Sequence, residues 1–167
     1  MSFLGFPGIH RPEHYRKFID TPSTTDLAKL QSLLQQDPLN RNKYKPNEKD
    51  ILIKCRSHYK SLPHGLQIFL TIIDWTDPEQ VVQAHKMIRQ WILLPPDEAL
   101  PMLDARYPDE IVRLYAVERL TSFTDDELSL FMIQLTQALM FDTQHYSSLG
   151  EMLLERSLIN PFVSSFL

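Results

Sequence analysis

This 167-residue chain has four glycines, one cysteine and no long hydrophobic run. Scarce glycine disfavours a β architecture built on tight turns, because such turns draw on residues that tolerate positive φ. The single cysteine, Cys55, excludes an internal disulfide and fits a reducing compartment. The longest nearly apolar run, Leu66–Ile73, is far shorter than the ~20 residues that a membrane span needs. The N-terminus also lacks the basic and apolar regions of a signal peptide.

The chain also lacks a large excess of charge of either sign. The chain has 17 basic and 21 acidic residues, a net charge of -4, and an ordinary globular composition with 43% hydrophobic residues. This balance gives no strong electrostatic case for nucleic acid or an anionic membrane. We therefore expect a cytoplasmic chain that binds no nucleic acid, does not insert directly into membranes and is monomeric in isolation.

A series of helix signals dominates what is present. Twelve prolines beside so few glycines suit helices that begin at proline, and strand signals are almost absent. Residues 1–22 show no steady period and are predicted to be an N-terminal linker or arm, and residues 23–167 are predicted to be one helical domain. Nine helices are predicted, beginning near Asp26, Asn47, Pro63, Pro78, Pro96, Pro108, Thr124, Ser147 and Asn160. They predict an all-α fold, a HEAT/armadillo-like right-handed α–α superhelix in which helix pairs stack.

Several local features are predicted in more detail. Thr124–Glu127 is a capping box, and Pro101 should distort the fifth helix because an interior proline removes a backbone donor. Asn47 is the predicted N-cap of a second helix that runs to about Lys60. His85 is interpreted as a hydrogen-bonded core histidine rather than a base. The fourth helix is predicted to bury Val81, Val82, Ala84, His85, Ile88 and Trp91.

The segment Asp109–Leu120 fits the inner helix of a HEAT-type repeat. An acidic residue at the helix start suits the helix dipole, apolar residues recur every fourth position, and a small alanine lets a neighbouring helix approach. The arginine is predicted to bond acidic or carbonyl groups at the start of a neighbouring helix. Taken alone, the pattern also fits any amphipathic helix with a charged first turn. The predicted structural residues are Asp104, Asp109, Val112, Arg113, Ala116 and Leu120.

Further residues before, within and after this segment occur in an order and spacing shared with a known domain. They are Glu98-Ala-Leu, Leu103-Asp104, Tyr107-Pro-Asp, Val112-Arg113, Tyr115-Ala-Val and Leu120, then Asp126-Glu-Leu128 and Gln134-Leu-x-Gln137-x-Leu. In this order the chain resembles the helical (accessory, PIK) domain of phosphoinositide 3-kinases over about Asp26–Leu167. Phosphatidylinositol 4-kinases carry a similar domain, and a stand-alone HEAT-type adaptor that binds a protein or peptide in a groove is a further alternative.

The resemblance implies a scaffold that organises the lipid-binding, GTPase-binding and kinase domains of one enzyme. The parent would use ATP and Mg to phosphorylate the 3-hydroxyl of an inositol lipid, after recruitment to membranes. The sequence contains no glycine-rich phosphate loop and no Asp-Phe-Gly, so we predict no catalytic, cofactor-binding or metal site in this chain. The chain is expected to end just before the kinase domain.

The chain differs from the family pattern at two segments, and the first difference concerns binding of a regulatory subunit. In class I members, the segment equivalent to Asn40–Asn47 carries acidic residues that dock on a Src-homology domain of the regulatory subunit. Here it carries Arg41, Lys43 and Lys45, so that contact is not expected, and the loop is either solvated or contacts an acidic partner domain or anionic lipid. The short connection Phe141–Tyr146 favours class I or II over class III.

Overall fold

The fold is that of a computed structural model, which describes residues 21–35, 44–142 and 147–160. Every regular element in these ranges is helical, so the predicted all-α class is confirmed. The predicted arm up to residue 20 and the predicted ninth helix after Asn160 lie outside the described residues. The elements are α1 (Thr24–Leu34), α2 (Pro46–Lys54), α3 (Arg56–Tyr59), α4 (Pro63–Ile72), α5 (Pro78–Gln90), α6 (Pro96–Ala99), the 3-10 helix η1 (Leu100–Leu103), α7 (Glu110–Leu120), α8 (Asp125–Leu130), α9 (Met132–Leu139) and α10 (Ser148–Ile159).

The helix starts follow from caps and prolines. The predicted capping box is confirmed, because the backbone N–H of Thr124 donates to Glu127 Oε2 at 2.9 Å and that of Glu127 donates to Thr124 Oγ1 at 3.3 Å. The predicted N-cap Asn47 is wrong. Lys45 occupies that position, since Pro46 is preset for the first helical turn, and the Lys45 backbone N–H donates to Glu48 Oε2 at 2.8 Å.

Two predicted continuous helices are broken, which corrects the sequence prediction. The second breaks at Cys55, where ψ is 4°, and the seventh breaks at Phe131, where ψ is 3°. After the first break the Tyr59 hydroxyl folds back to donate to the Leu52 carbonyl at 2.9 Å. At the second, the Phe131 ring stacks on Phe123 with centroids 5.3 Å apart. Each break thus lies beside an aromatic residue that contacts an earlier part of the chain. The predicted distortion at Pro101 is confirmed as the 3-10 helix η1.

The core is built on aromatic rings and aliphatic stripes. Trp91 packs its ring against Tyr59 at 5.5 Å and against Phe69 at 5.7 Å, measured between centroids. On α5 the predicted burial of Val82 is wrong, since this side chain is 62% exposed. Val82 lies two residues before the buried Ala84, which places it about 200° around the helix from the core. Within the described ranges, no helix combines the length and apolarity needed to cross a bilayer.

Candidate functional site

Helix α7 lies at the centre of the described fold. It packs against α5, α6, η1 and α10. Its residues Val112, Ala116 and Leu120 have no exposed surface. The small Ala116 side chain permits the close approach of a neighbouring helix. One charged residue is buried among them, because Arg113 is only 7% exposed, and a buried charge is tolerated only when it is paired and hydrogen-bonded.

Arg113 meets that requirement through three separate acceptors. Its Nε donates to Asp142 Oδ1 at 2.6 Å, its Nη1 to the Leu103 carbonyl at 2.6 Å, and its Nη2 to the Ala138 carbonyl at 3.1 Å. The carbonyls belong to the ends of η1 and α9 rather than to helix starts, which corrects the predicted placement. Carbonyls of a last helical turn lack partners within their own helix, so a guanidinium satisfies them well. One side chain thus ties α7 to two other elements.

The network continues from Asp142 to the start of α10. The Ser147 hydroxyl donates to Asp142 Oδ2, and the same hydroxyl oxygen accepts from the Gly150 backbone N–H at 2.9 Å as the N-cap of α10. A chain of charge-assisted hydrogen bonds therefore runs from α7 to the N-terminus of α10. Its geometry fixes where α10 begins relative to α7.

Asp109 and Asp104 lie apart from this network. Asp109 caps α7 by accepting from the backbone N–H groups of Ile111 and Val112 at 3.0 and 3.1 Å. It also lies 2.9 Å from His85 Nε2, which joins α7 to α5. Asp104 instead forms a local pair with Arg106, 2.9 Å from its Nε. The side-chain hydrogen bond from Arg106 lowers the pKa of Asp104. The structure thus brings Asp109 against α5 but does not join Asp104 to Arg113.

Sequence reasoning missed a second arginine clamp, on α10. Arg156 Nη1 donates to Asp125 Oδ1 at 2.7 Å, and its Nη2 donates to the carbonyls of Thr121 and Phe123 at 2.6 and 3.0 Å. Asn160 Nδ2 donates to Asp125 Oδ2 at 3.1 Å. Together they fasten the end of α10 to the turn between α7 and α8. The sequence signal was weak, since an arginine in a last helical turn normally only complements the helix dipole.

The second clamp should make the stability of the fold depend on pH in the acidic range. The hydrogen bond from Asn160, and then that from Arg156, lower the pKa of Asp125. A lowered carboxyl pKa contributes stability that is present above the unfolded pKa of about 4 and is lost as the pH falls through the folded pKa. We expect Asp125→Asn to unfold at a lower temperature than the parent at pH 7, and the difference to shrink below about pH 4. Thermal unfolding across this range measures it, and a difference that grew towards acid would contradict the assignment.

Further buried polar pairs join α4 to the segments before α7. Gln67 Nε2 donates to the Glu98 carbonyl at 2.6 Å, and the Thr71 and Tyr107 hydroxyls lie 3.0 Å apart. Leu94 is held by α7, since Tyr115 accepts from its N–H at 3.2 Å and Arg119 Nε donates to its carbonyl at 3.0 Å. These contacts, like those of Arg113, join neighbouring elements of the fold.

A cleft of about 360 Å³ lies beside the Arg113 network, lined in part by Glu110, Leu114, Met140 and Phe141. The three apolar side chains are 43%, 83% and 48% exposed. The cleft therefore offers an apolar surface with a carboxylate nearby. Of the predicted partner-contact residues, Arg41 and Lys43 lie outside the described residues, and Lys45 is exposed at the start of α2.

Comparison with known proteins agrees with this helical framework. The family profile "Phosphoinositide 3-kinase family, accessory domain (PIK domain)" matches residues 19–167. The chain is 39% identical over 81% of its length to phosphatidylinositol 3-kinase 2 of Dictyostelium discoideum. It is 32% identical over 87% of its length to phosphatidylinositol 3-kinase VPS34 of Arabidopsis thaliana, and 32% identical over 78% to phosphatidylinositol 3-kinase 3 of Dictyostelium discoideum. It spans 7%, 18% and 8% of the lengths of these three relatives.

Proposed function

This chain belongs to the phosphoinositide 3-kinase family as its accessory (PIK) domain, and from that premise we propose that it is the scaffold of a phosphatidylinositol 3-kinase. The scaffold organises the lipid-binding, GTPase-binding and kinase domains of the parent. The parent uses ATP and Mg to phosphorylate the 3-hydroxyl of an inositol lipid, and it is a cytoplasmic enzyme recruited to membranes. The chemistry belongs to other domains, and this chain supplies rigidity and docking surfaces.

The exposed face of α10 carries this proposal. Leu154 and Leu158 are 59% and 87% exposed on the side opposite the buried Leu149 and Leu153, and Ile159 at the helix end is 79% exposed. The exposed Glu151 and Glu155 lie on the same side as the two leucines, and large exposed aliphatic groups close together mark an interaction surface. We infer that the rest of the kinase packs on this face of α10.

A HEAT-like architecture fits the same proposal. Within residues 44–142 short connections join successive helices, and α7 packs on elements both before and after it in the chain. We propose that helix pairs stack into a right-handed superhelix, in which each pair buries its apolar face on the next. The arginine clamps at Arg113 and Arg156 would then hold the stack at a fixed angle, as a scaffold requires.

Two other functions fit a helical domain of this kind. A free-standing HEAT-type adaptor would bind a protein or peptide in a concave groove, and a phosphatidylinositol 4-kinase carries a similar domain. The reading frame beyond Leu167 separates the first of these from our proposal, because a kinase domain should follow. The lipid product formed by the parent separates the second. The similarity to named phosphatidylinositol 3-kinases favours the 3-kinase.

The proposal also concerns where a regulatory subunit binds. The basic residues Arg41, Lys43 and Lys45 reverse the charge of the acidic segment in class I members. Like charges across such a contact repel and cost affinity. We propose that any regulatory subunit binds elsewhere, and that this loop is solvated or contacts an acidic domain or anionic lipid.

The proposal predicts that the purified 167-residue chain has no lipid kinase activity. All ATP and metal chemistry would lie in the kinase domain of the parent. The assay is transfer of labelled phosphate from ATP to phosphatidylinositol, with the full-length parent as the positive control. Phosphorylation above the level of a heat-denatured sample of the chain would contradict the scaffold proposal.

A further inference from the structure

Two consecutive aliphatic side chains project from the turn that follows α5. Ile92 and Leu93 are 47% and 68% exposed, although the preceding Trp91 is buried. The backbone of this turn is fixed, because the Ile92 N–H donates to the Lys60 carbonyl at 3.3 Å and Trp91 Nε1 donates to the Leu62 carbonyl at 3.0 Å. The aliphatic pair is therefore held outward by a rigid turn rather than by a frayed end.

Two basic residues lie near this pair. The hydrogen bond from Ile92 places the exposed Lys60 beside it, and the exposed Arg89 lies in the last turn of α5. Neither contributing segment contains an aspartate or glutamate, from residue 51 to residue 73 or from residue 81 to residue 96. We name Lys60, Arg89, Ile92 and Leu93 the α5 tip. The two segments that form it carry basic residues and no acidic ones in a chain whose net charge is -4, and the exposed Asp97 follows the second segment.

We propose that the α5 tip makes a peripheral contact with an anionic lipid surface. Exposed aliphatic groups flanked by lysine and arginine suit the boundary between lipid headgroups and acyl chains. There the aliphatic groups lie below the phosphates, and the long basic side chains reach the phosphates. The proposal rests on the proposed function in one respect, since a lipid kinase works at such a surface. Composition did not predict the contact, because only the fold brings these residues together.

A lipid surface fits the tip better than a protein groove does. The aliphatic pair is exposed, and its basic neighbours come from two separate elements, so the tip presents an apolar surface with cations beside it. Such a surface needs no complementary shape to bind a bilayer, whereas a protein partner would need a recess of matching form. The alternative is an acidic protein partner, and the test below includes an outcome that would identify one.

The first experiment is flotation of the full 167-residue chain with vesicles of phosphatidylcholine alone, or with about a third phosphatidylserine. We expect binding to the anionic vesicles that weakens as salt is raised. The double variant Ile92→Ser with Leu93→Ser should bind at least about tenfold more weakly. The matched control changes another exposed aliphatic pair, Leu130→Ser with Ile133→Ser, which are 78% and 67% exposed, and it should bind like the parent.

The basic residues are tested in the same assay. Lys60→Ala with Arg89→Ala should weaken binding by about fivefold for each cation removed. The control Lys29→Ala removes an exposed lysine from α1 and should change binding little. Circular dichroism of each variant confirms that a loss of binding is not a loss of fold.

A fluorophore at the tip reports where the contact forms. Leu93→Cys can be labelled selectively because Cys55 has no exposed surface, and its emission should shift to the blue with anionic vesicles while that of labelled Leu130→Cys does not. Absence of vesicle binding by the parent chain, or equal binding by the Ile92→Ser, Leu93→Ser variant, overturns the proposal. So does a blue shift of Leu93→Cys in the full-length kinase without vesicles, which identifies a protein contact. None of these results touches the scaffold role, which depends on α10.

Discussion

Replacing Arg113 with alanine should lower the free energy of unfolding by about 3 kcal/mol. The substitution leaves the Asp142 carboxylate without its cation and leaves the carbonyls of Leu103 and Ala138 without their donor. The Arg113 and Asp142 side chains are 9% and 15% exposed, so water cannot fully replace the lost partners. In a domain of this size the melting temperature should fall by about 6–12 °C.

Arg106 provides a matched control on the surface. Its pair with Asp104 has side chains 35% and 42% exposed, and an exposed ion pair typically contributes less than about 1 kcal/mol. Arg106→Ala should therefore shift the melting temperature by no more than about 4 °C. An Arg113→Ala variant as stable as Arg106→Ala would show that the buried network does not hold α7, η1 and α9 together.

Replacing Gly65 with alanine should destabilise the fold by about 2 kcal/mol. An added Cβ would lie 2.8 Å from the backbone oxygen of Tyr59, 2.9 Å from its ring and 3.2 Å from the ring of Trp91. Both rings belong to packed core residues, so α4 would have to move away from α3. The better helix propensity of alanine, worth up to about 1 kcal/mol, does not offset that strain.

Gly150→Ala is the matched control for this prediction. Its added Cβ would meet only side-chain atoms, with Ser147 Oγ at 3.3 Å and Leu139 Cδ2 at 3.6 Å. We expect a change in unfolding free energy of no more than about 1 kcal/mol in either direction. Chemical denaturation of both variants measures the difference. Equal stability of Gly65→Ala and the parent would mean that the α3–α4 approach is looser than described.

The sequence predicted the helices better than it predicted their interruptions. Caps and prolines are local signals, so the capping box at Thr124–Glu127 and the 3-10 turn at Pro101 could be identified from a few residues each. The breaks at Cys55 and Phe131 could not, because apolar periodicity continues across both. The breaks lie beside contacts of Tyr59 with Leu52 and of Phe131 with Phe123, which no local pattern reports.

The candidate site could be predicted from the sequence only in part, for the same reason. The apolar spacing on α7 pointed to Val112, Ala116 and Leu120 as a buried face, and Arg113 was predicted to bond a neighbouring helix. The partners of Arg113 were not visible, since Asp142 and Ala138 lie far along the chain. Arg156 gave only the weak signal of a basic residue in a last helical turn, because its clamp depends on how α10 returns to the turn after α7.

Hydrogen–deuterium exchange of α10 tests the central claim most directly, when the isolated chain is compared with the full-length parent kinase. The claim is that this domain is a scaffold and that the kinase packs on the exposed face of α10. The amides of Ser148–Ile159 should then exchange more slowly in the full-length protein, because packing raises the free energy of local opening. Amides of the buried helix α7 provide the internal reference. Equal exchange of α10 in the two proteins, relative to α7, would contradict the account.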